Sequence, residues 1–521
     1  MQKTGRNRDY ITMKRDISKT AAFAAAFSLI ILALTFLSDR NTFVFPDKTD
    51  DRYTLALTDY GICKILALIV LFAAFYGLFT IVFAKNEYRD SLISVIKCGA
   101  LYLPVLVSVA AIKLPQGFLT NDEYAIYENA TNLVHDTWFN YMTVYYYIVS
   151  LMLIPVKYGP IIMKLIIEFF VVGYCVYRAK SYYGKKAGMF MYVLFVLYPV
   201  IAYTTSAHRL PVYFLIYLAL FVKIHFDLLE KKDITTGGMF LILLSGTVLT
   251  QWRTEGIYLL ALIPIVLFIA YPSLRNKKAA LCVIASYIVI QYIISIPQNG
   301  MSAGTLSGAA NDRMKPFYAY TITNMMRNGL DEEKNAAELE VIDKYISIDA
   351  IKNINEYYWD NNYEDVLILI KEEFGGVRPD AGYTEYYDFT EAVKKIFMNE
   401  PGVFLKTRWG AFCFAAQPYR LTLNEGAVHA VVSAVKSLSY NLFVPVILAF
   451  AFALISLVRR KWFMFFCSGG LLAHWFIVFI LAPASYFKYY FPVYIMSYYF
   501  VLMMLIWYFA GRKKNLTCPM V

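Results

Sequence analysis

The chain has 521 residues, 59% hydrophobic and 17% charged, with a mean hydropathy of +0.49 and a formal net charge of +11. A soluble domain is about 45–50% apolar and about 25% charged, so an ordinary soluble enzyme, a disordered chain and a disulfide-rich scaffold are all excluded. The positive charge is no nucleic-acid signature, because it comes in short clusters between apolar runs and forms no contiguous basic stretch.

A helix needs about 20 mainly apolar residues to cross a bilayer. Runs of that kind occur near 20–37, 61–84, 92–112, 158–177, 187–205, 210–226, 237–251, 255–272, 279–296, 440–458, 462–483 and 487–510. The first follows a basic tail (Lys3, Arg6, Arg8, Lys14, Arg15, Lys19) without an obvious cleavage site, and reads as an uncleaved first span. Cys63, Cys98, Cys175, Cys282 and Cys467 fall within apolar runs and read as small buried hydrophobes; no CxxC pair suggests zinc or redox work.

Segment 139–157 is also apolar. If it spans, the basic clusters after it move to the outer face. If it does not, Lys85/Arg89, Arg178/Lys180/Lys185/Lys186, Lys231/Lys232, Arg275/Lys277/Lys278, Arg459/Arg460/Lys461 and Arg512/Lys513/Lys514 share the cytoplasmic side, as the positive-inside bias requires. The segment is therefore expected in the outer interface, with Tyr141, Tyr145, Tyr146 and Tyr147 at headgroup level. The predicted fold is an all-α polytopic protein of the plasma membrane, with about 12 transmembrane helices (13 if 139–157 spans) and both termini cytoplasmic.

Three regions follow: a transmembrane module over 1–296 with an external acidic loop at 113–138; an extracytoplasmic, mainly helical domain and interfacial segment over 297–439; and C-terminal helices with a cytoplasmic tail over 440–521. Residues 311–400 carry 19 acidic and 10 basic side chains, half of all the acids. Helices are expected at 331–346 and 363–374. Segment 400–438, with Lys406, Arg408 and Arg420, is expected along the membrane surface. Within the spans charge is sparse: Lys64, Lys97, Lys164, Glu168 and Lys223 are the main cases. Lys164 and Glu168, four apart, are expected to neutralise one another. His225 and His429 read as interfacial, and His474 as bonded to a neighbouring helix. There is no HExxH, P-loop or GxGxxG, so an ATP-driven pump has no support.

Two groups could carry chemistry. In Thr120-Asn121-Asp122-Glu123-Tyr124, adjacent acids open an amphipathic stretch just outside a span. A carboxylate there could act as general base toward an acceptor hydroxyl or amine, or help hold a divalent cation such as Mg²⁺ or Mn²⁺. Thr120 and Glu123 also have capping-box spacing, which needs no chemistry at all. The second group is cationic: Arg209, Arg253 and Lys488 lie in three separate external connections and could hold a phosphate, or could simply anchor helix ends at the interface. His135 and His208 could assist acid–base steps, and Glu255 could pair with Arg253.

These features resemble the GT-C superfamily of integral-membrane glycosyltransferases, which includes the protein O-mannosyltransferases and the lipid A aminoarabinose transferase. The resemblance rests on the external acids of Asn121-Asp122-Glu123-Tyr124, the Tyr-rich Tyr145-Tyr146-Tyr147, Tyr183-Gly184-Lys185-Lys186-Ala187-Gly188, Leu197-Tyr198-Pro199, the Arg253-Thr254-Glu255-Gly256 turn and Phe487-Lys488-Tyr489-Tyr490-Phe491-Pro492. It covers 113–296 and resumes over 399–510. The family usually places its acids after the first span, whereas here they follow the third, so Asp50-Asp51-Arg52 is a rival motif. The resemblance implies transfer of a hexosyl or pentosyl group from a polyprenyl-phosphate donor to a glycan, lipid or protein acceptor outside the cytoplasm. It gives Asp122 the role of base or metal-linked carboxylate, Glu123 a supporting role, and Arg209, Arg253 and Lys488 the donor phosphate. A flippase or transporter of lipid-linked saccharide would instead show inverted repeats and broken mid-membrane helices. A polysaccharide polymerase or ligase would rely on external arginines rather than an acidic pair.

Overall fold

A bilayer leaves a crossing backbone no partner but itself, which is why long apolar runs become helices. The computed structural model describes residues 2–118, 120–134, 139–204, 209–304, 314–357, 369, 376–419, 426–512 and 516–520. Among these residues the chain is all helical with no strand; one isolated antiparallel bridge joins Ile346 and Val377. Nine helices there are long and apolar enough to cross a membrane, or ten if one bent pair counts as a single span. The expected spans at 237–251 and 255–272 form shorter helical segments, Thr236–Trp252 (17 residues) and Thr254–Ala270. The run at 187–205 is broken into Lys185–Phe195 and Tyr198–Thr204, bent by 65°. Pro199, in the first turn of the second piece, has no amide hydrogen to give the carbonyl four residues back, that of Phe195, where the first piece ends.

The helices fall into two compact units, residues 1–231 with 502–519, and residues 232–501 with 520–521. The first unit holds α1 (Gln2–Thr42), α2 (Tyr53–Phe83), α3 (Glu87–Gln116), α4 (Asn121–Thr131), α5 (Tyr141–Leu153), α6 (Gly159–Tyr183), α7 (Lys185–Phe195), α8 (Tyr198–Thr204) and α9 (Arg209–Leu229). Helix α5 has 13 residues, about 20 Å at 1.5 Å per residue, too short to cross a hydrocarbon core of about 30 Å. Its tyrosines point inward instead: Tyr145 donates to Asp59 Oδ1 of α2 (2.5 Å) and Tyr146 to the Pro160 carbonyl of α6 (2.6 Å). Asp59 and Asp39, two acids within spans, were not singled out from the sequence. Asp39 is ion-paired with Lys64 and accepts from Tyr60 Oη at 2.6 Å, which locks α1 to α2.

Helices α3 and α6 cross at a pair of glycines. A Cβ on Gly173 would lie 2.4 Å from the Val95 carbonyl oxygen, and one on Gly99 would lie 2.7 Å from that of Phe169. Small residues at such a crossing let backbones approach where lipid supplies no hydrophobic drive between helices. Lys164 and Glu168, both buried on α6, are bridged by Thr204 of α8. Lys164 donates to the Thr204 carbonyl, while Thr204 Oγ1 (3.1 Å) and Tyr102 Oη (3.3 Å) donate to Glu168. His225, expected at the interface, is buried on α9 with its Nε2 2.9 Å from the Pro519 carbonyl.

The second unit holds α10 (Thr236–Trp252), α11 (Leu259–Ala270), α12 (Lys277–Gly304), α13 (Lys315–Arg327), α14 (Ala336–Asp343), α15 (Ile348–Tyr357), α16 (Tyr383–Asn399), α17 (Pro401–Ala416), α18 (Ala427–Ser439), α19 (Phe443–Val458), α20 (Trp462–Leu481) and most of α21 (Phe491–Ile506). Helices α13–α17 enclose an apolar core that includes Tyr320, Ile342, Ile346, Phe389 and Val393. The predicted helix at 363–374 lies outside the described residues except for Leu369. Cys282 departs from the buried reading: it is exposed on α12, among outward apolar neighbours such as Leu281 and Ile288.

The glycine crossing gives the first prediction. Gly173→Leu should lower the thermal midpoint of detergent-purified protein by several degrees, because backbone faces the new side chain. Gly469→Leu, at a position with nothing within 4 Å, should leave it nearly unchanged. Equal midpoints for both variants would contradict the crossing.

Candidate functional site

The acidic pair sits where α3 turns into α4. Helix α3 ends at Gly117, whose φ of +73° carries the chain through a conformation most side chains resist. Thr120 then caps α4. Its Oγ1 accepts from the Glu123 amide (3.2 Å), and Glu123 Oε2 accepts from the Thr120 amide (3.0 Å), so the capping box is formed. The same Oε2 lies 3.5 Å from Lys113 Nζ, in the last turn of α3, and both side chains are 0% exposed. Glu123 thus has two structural tasks before any chemical one. Breaking a buried ion pair on one side typically costs about 3–5 kcal/mol, since it strands the other charge.

Asp122, one residue earlier, is half-buried where its neighbour is fully buried. Both carboxylates act electrostatically on the buried Tyr147 of α5. The Phe118 ring packs against Tyr124 (5.5 Å) and Tyr127 (5.2 Å), and Lys157 Nζ lies 5.7 Å from the Phe118 ring and 5.6 Å from that of Tyr124. The corner therefore offers a partly accessible carboxylate with aromatic rings and a cation close by. The rival Asp50 is occupied differently: Arg52 donates to it through Nε (3.0 Å) and Nη2 (2.7 Å) on the open surface. Those hydrogen bonds pull the Asp50 carboxyl down to about 2, which makes it a poor base.

The expected cations divide. Arg209 opens α9 in the first unit, and its side chain lies outside the described residues, as do His208 and His135. Arg253, Glu255 and Lys488 all belong to the second unit, where the two cations approach one ring, that of Tyr489, and Glu255 pairs with Arg253. Arg253 Nη2 pairs with Glu255 Oε1 at 2.6 Å, the local pair anticipated from their spacing. The Arg253 guanidinium lies 5.4 Å from the Tyr489 ring, and Lys488 Nζ lies 4.7 Å from Tyr486 and 5.9 Å from Tyr489. His474 of α20 bonds the Tyr489 carbonyl (2.8 Å), the contact with a neighbouring element expected of it, and packs edge-on against Tyr258. A cation over an aromatic face keeps its charge while losing some of its water.

Among the described residues no three acid, histidine or cysteine side chains gather as a metal site. Glu123, already committed to an amide and an ammonium, does not fit a ligand role.

Sequence reasoning missed Lys113, although it is the first residue after the span at 92–112. It also missed Tyr489 as the shared ring, and it placed Arg408 at the interface, where the structure buries it. The chain matches no protein-family model, no curated protein and no solved structure.

The Lys113–Glu123 pair is testable by a double-mutant cycle. Lys113→Met should lower stability by roughly 3–5 kcal/mol. Adding Glu123→Gln, which keeps the capping box and removes the stranded charge, should recover most of that loss. Thermal unfolding in detergent reads both; an unchanged midpoint in Lys113→Met would remove the pair as an anchor.

Proposed function

We propose that this protein is a membrane glycosyltransferase of the GT-C type, which moves a sugar from a polyprenyl-phosphate donor to an acceptor outside the cytoplasm. The observation that carries the reading is the division of labour at the start of α4: Glu123 is buried in a cap and an ion pair, while Asp122 beside it stays partly accessible. In this reading twelve segments cross the plasma membrane, both termini are cytoplasmic, and α4 and α5 lie at the outer surface. The basic clusters on the opposite side support that orientation.

The reaction asks little covalent work of the protein. The acceptor hydroxyl gives its proton to the Asp122 carboxylate as its oxygen bonds to the anomeric carbon. The bond from that carbon to the phosphate oxygen breaks, and the electron pair leaves with the polyprenyl phosphate. A cation stabilises the growing charge on the leaving group, the role assigned to Arg209, Arg253 and Lys488. The donor's lipid tail stays in the bilayer, which accounts for chemistry on a chain so rich in membrane helices.

A polymerase or ligase of lipid-linked saccharide is the second reading, favoured by the Arg253 and Lys488 cations around Tyr489. The two diverge on Asp122. In a deletion strain, lipid extracts should show an accumulated polyprenyl-phosphate sugar that the unaltered gene clears. Asp122→Asn should fail to clear it, with transfer reduced roughly 10²–10⁴-fold and thermal stability unchanged. Full clearance by that variant would favour the second reading, and no accumulation in the deletion strain would exclude both.

A further inference from the structure

Arg408 lies on α17 and is 1% exposed, yet no carboxylate pairs with it among the described residues. A buried guanidinium stays charged and needs hydrogen-bond acceptors in place of water. It finds them at the C-terminal end of α20: Nε donates to the Phe479 carbonyl (2.7 Å) and Nη2 to the Ala482 carbonyl (2.9 Å). The reason the first of these oxygens is open is in the sequence. A helix would satisfy the Phe479 carbonyl with the amide four residues on, but residue 483 is proline and has no amide hydrogen. Arg408 supplies the missing donor, and places a positive charge at the negative end of the helix dipole.

The stretch that begins there, residues 482–490, carries Lys488. It is gripped at two further points: Ser485 is hydrogen-bonded to Tyr320 of α13, and the Tyr489 carbonyl is bonded to His474. Ala484 belongs to the same apolar core as Tyr320 and Ala411, and Tyr486 and Tyr489 pack against it. Helix α17 is itself tied to the end of α13, since Asn328 Nδ2 donates to Thr407 Oγ1 (2.9 Å) and Lys406 Nζ to the Asn328 carbonyl (3.0 Å). The Lys488 turn is thus an extension of the α13–α17 domain as much as a loop between two membrane helices.

We infer that Arg408 is a positioning residue: it completes the end of α20 in place of the amide that Pro483 lacks, and so fixes the turn that presents Lys488. The consequence for donor phosphate rests on the glycosyltransferase reading; the anchor itself does not.

Hydrogen exchange on the full-length protein in nanodiscs separates the two. Arg408→Met should raise amide exchange in residues 482–490 at least tenfold, with α12 and α19 unchanged. Arg408→Lys, whose donors all sit on one nitrogen and match the two carbonyls less well, should give a smaller rise in the same peptide, and Tyr320→Phe should loosen it at Ser485. In a transfer assay, Arg408→Met should raise the KM for the polyprenyl-phosphate sugar severalfold with kcat within about twofold. Unchanged exchange at 482–490 in a folded Arg408→Met protein would overturn the inference. So would an equal rise across every helix of the second unit, which marks general destabilisation. If the unaltered protein transfers nothing but the rise stays confined to 482–490, the anchor stands and the glycosyltransferase reading falls.

Discussion

The first unit is organised around an ion pair that has no contact with water. Lys113 and Glu123 are both fully buried, and charges so placed hold only while each keeps the other. The pair fixes the corner between a long membrane helix and the short helix that carries Asp122. From that corner the contacts run outward: α4 packs on α5, and α5 is hydrogen-bonded to α2 through Tyr145 and to α6 through Tyr146. Hydrophobic burial cannot supply such direction between helices that already sit in an apolar solvent. Directional polar contacts and close glycine crossings do so instead.

The same logic recurs in the second unit with a different partner. Among the described residues Arg408 is buried with no acid beside it, and its charge is answered by the carbonyls at a helix end. Arg253, by contrast, takes a carboxylate and an aromatic ring. In both units a cation set in apolar surroundings marks a place where the backbone changes direction: α3 into α4, α10 into the turn at Thr254, α20 into the turn bearing Lys488. Those changes of direction are also where the candidate chemical groups stand.

Much of this was legible in the sequence, for definite reasons. Apolar runs report helices because the bilayer admits little else, and the Thr120–Glu123 and Arg253–Glu255 spacings are short enough to fix their own contacts. Other features depend on tertiary geometry and left no local trace. Lys113 reaches Glu123 only because Gly117 turns the chain back. Arg408 looks like a surface anchor until Pro483, 75 residues later, is seen to need a donor. The shortness of Thr236–Trp252 and Thr254–Ala270 escaped hydropathy, which measures how apolar a run is and not where its helix breaks. The acids Asp39 and Asp59 were hidden by apolar surroundings that also bury their partners.

The proposed chemistry depends above all on the side of the membrane that α4 faces. Cysteine placed at Tyr124, which is 49% exposed beside Asp122, or at Lys277 at the start of α12, in an otherwise cysteine-free chain, reads that directly in intact cells. A membrane-impermeant maleimide should label the residue-124 variant at once, and the residue-277 variant only after the cells are opened. Labelling of residue 277 but not residue 124 in intact cells would put Asp122 in the cytoplasm and contradict the account.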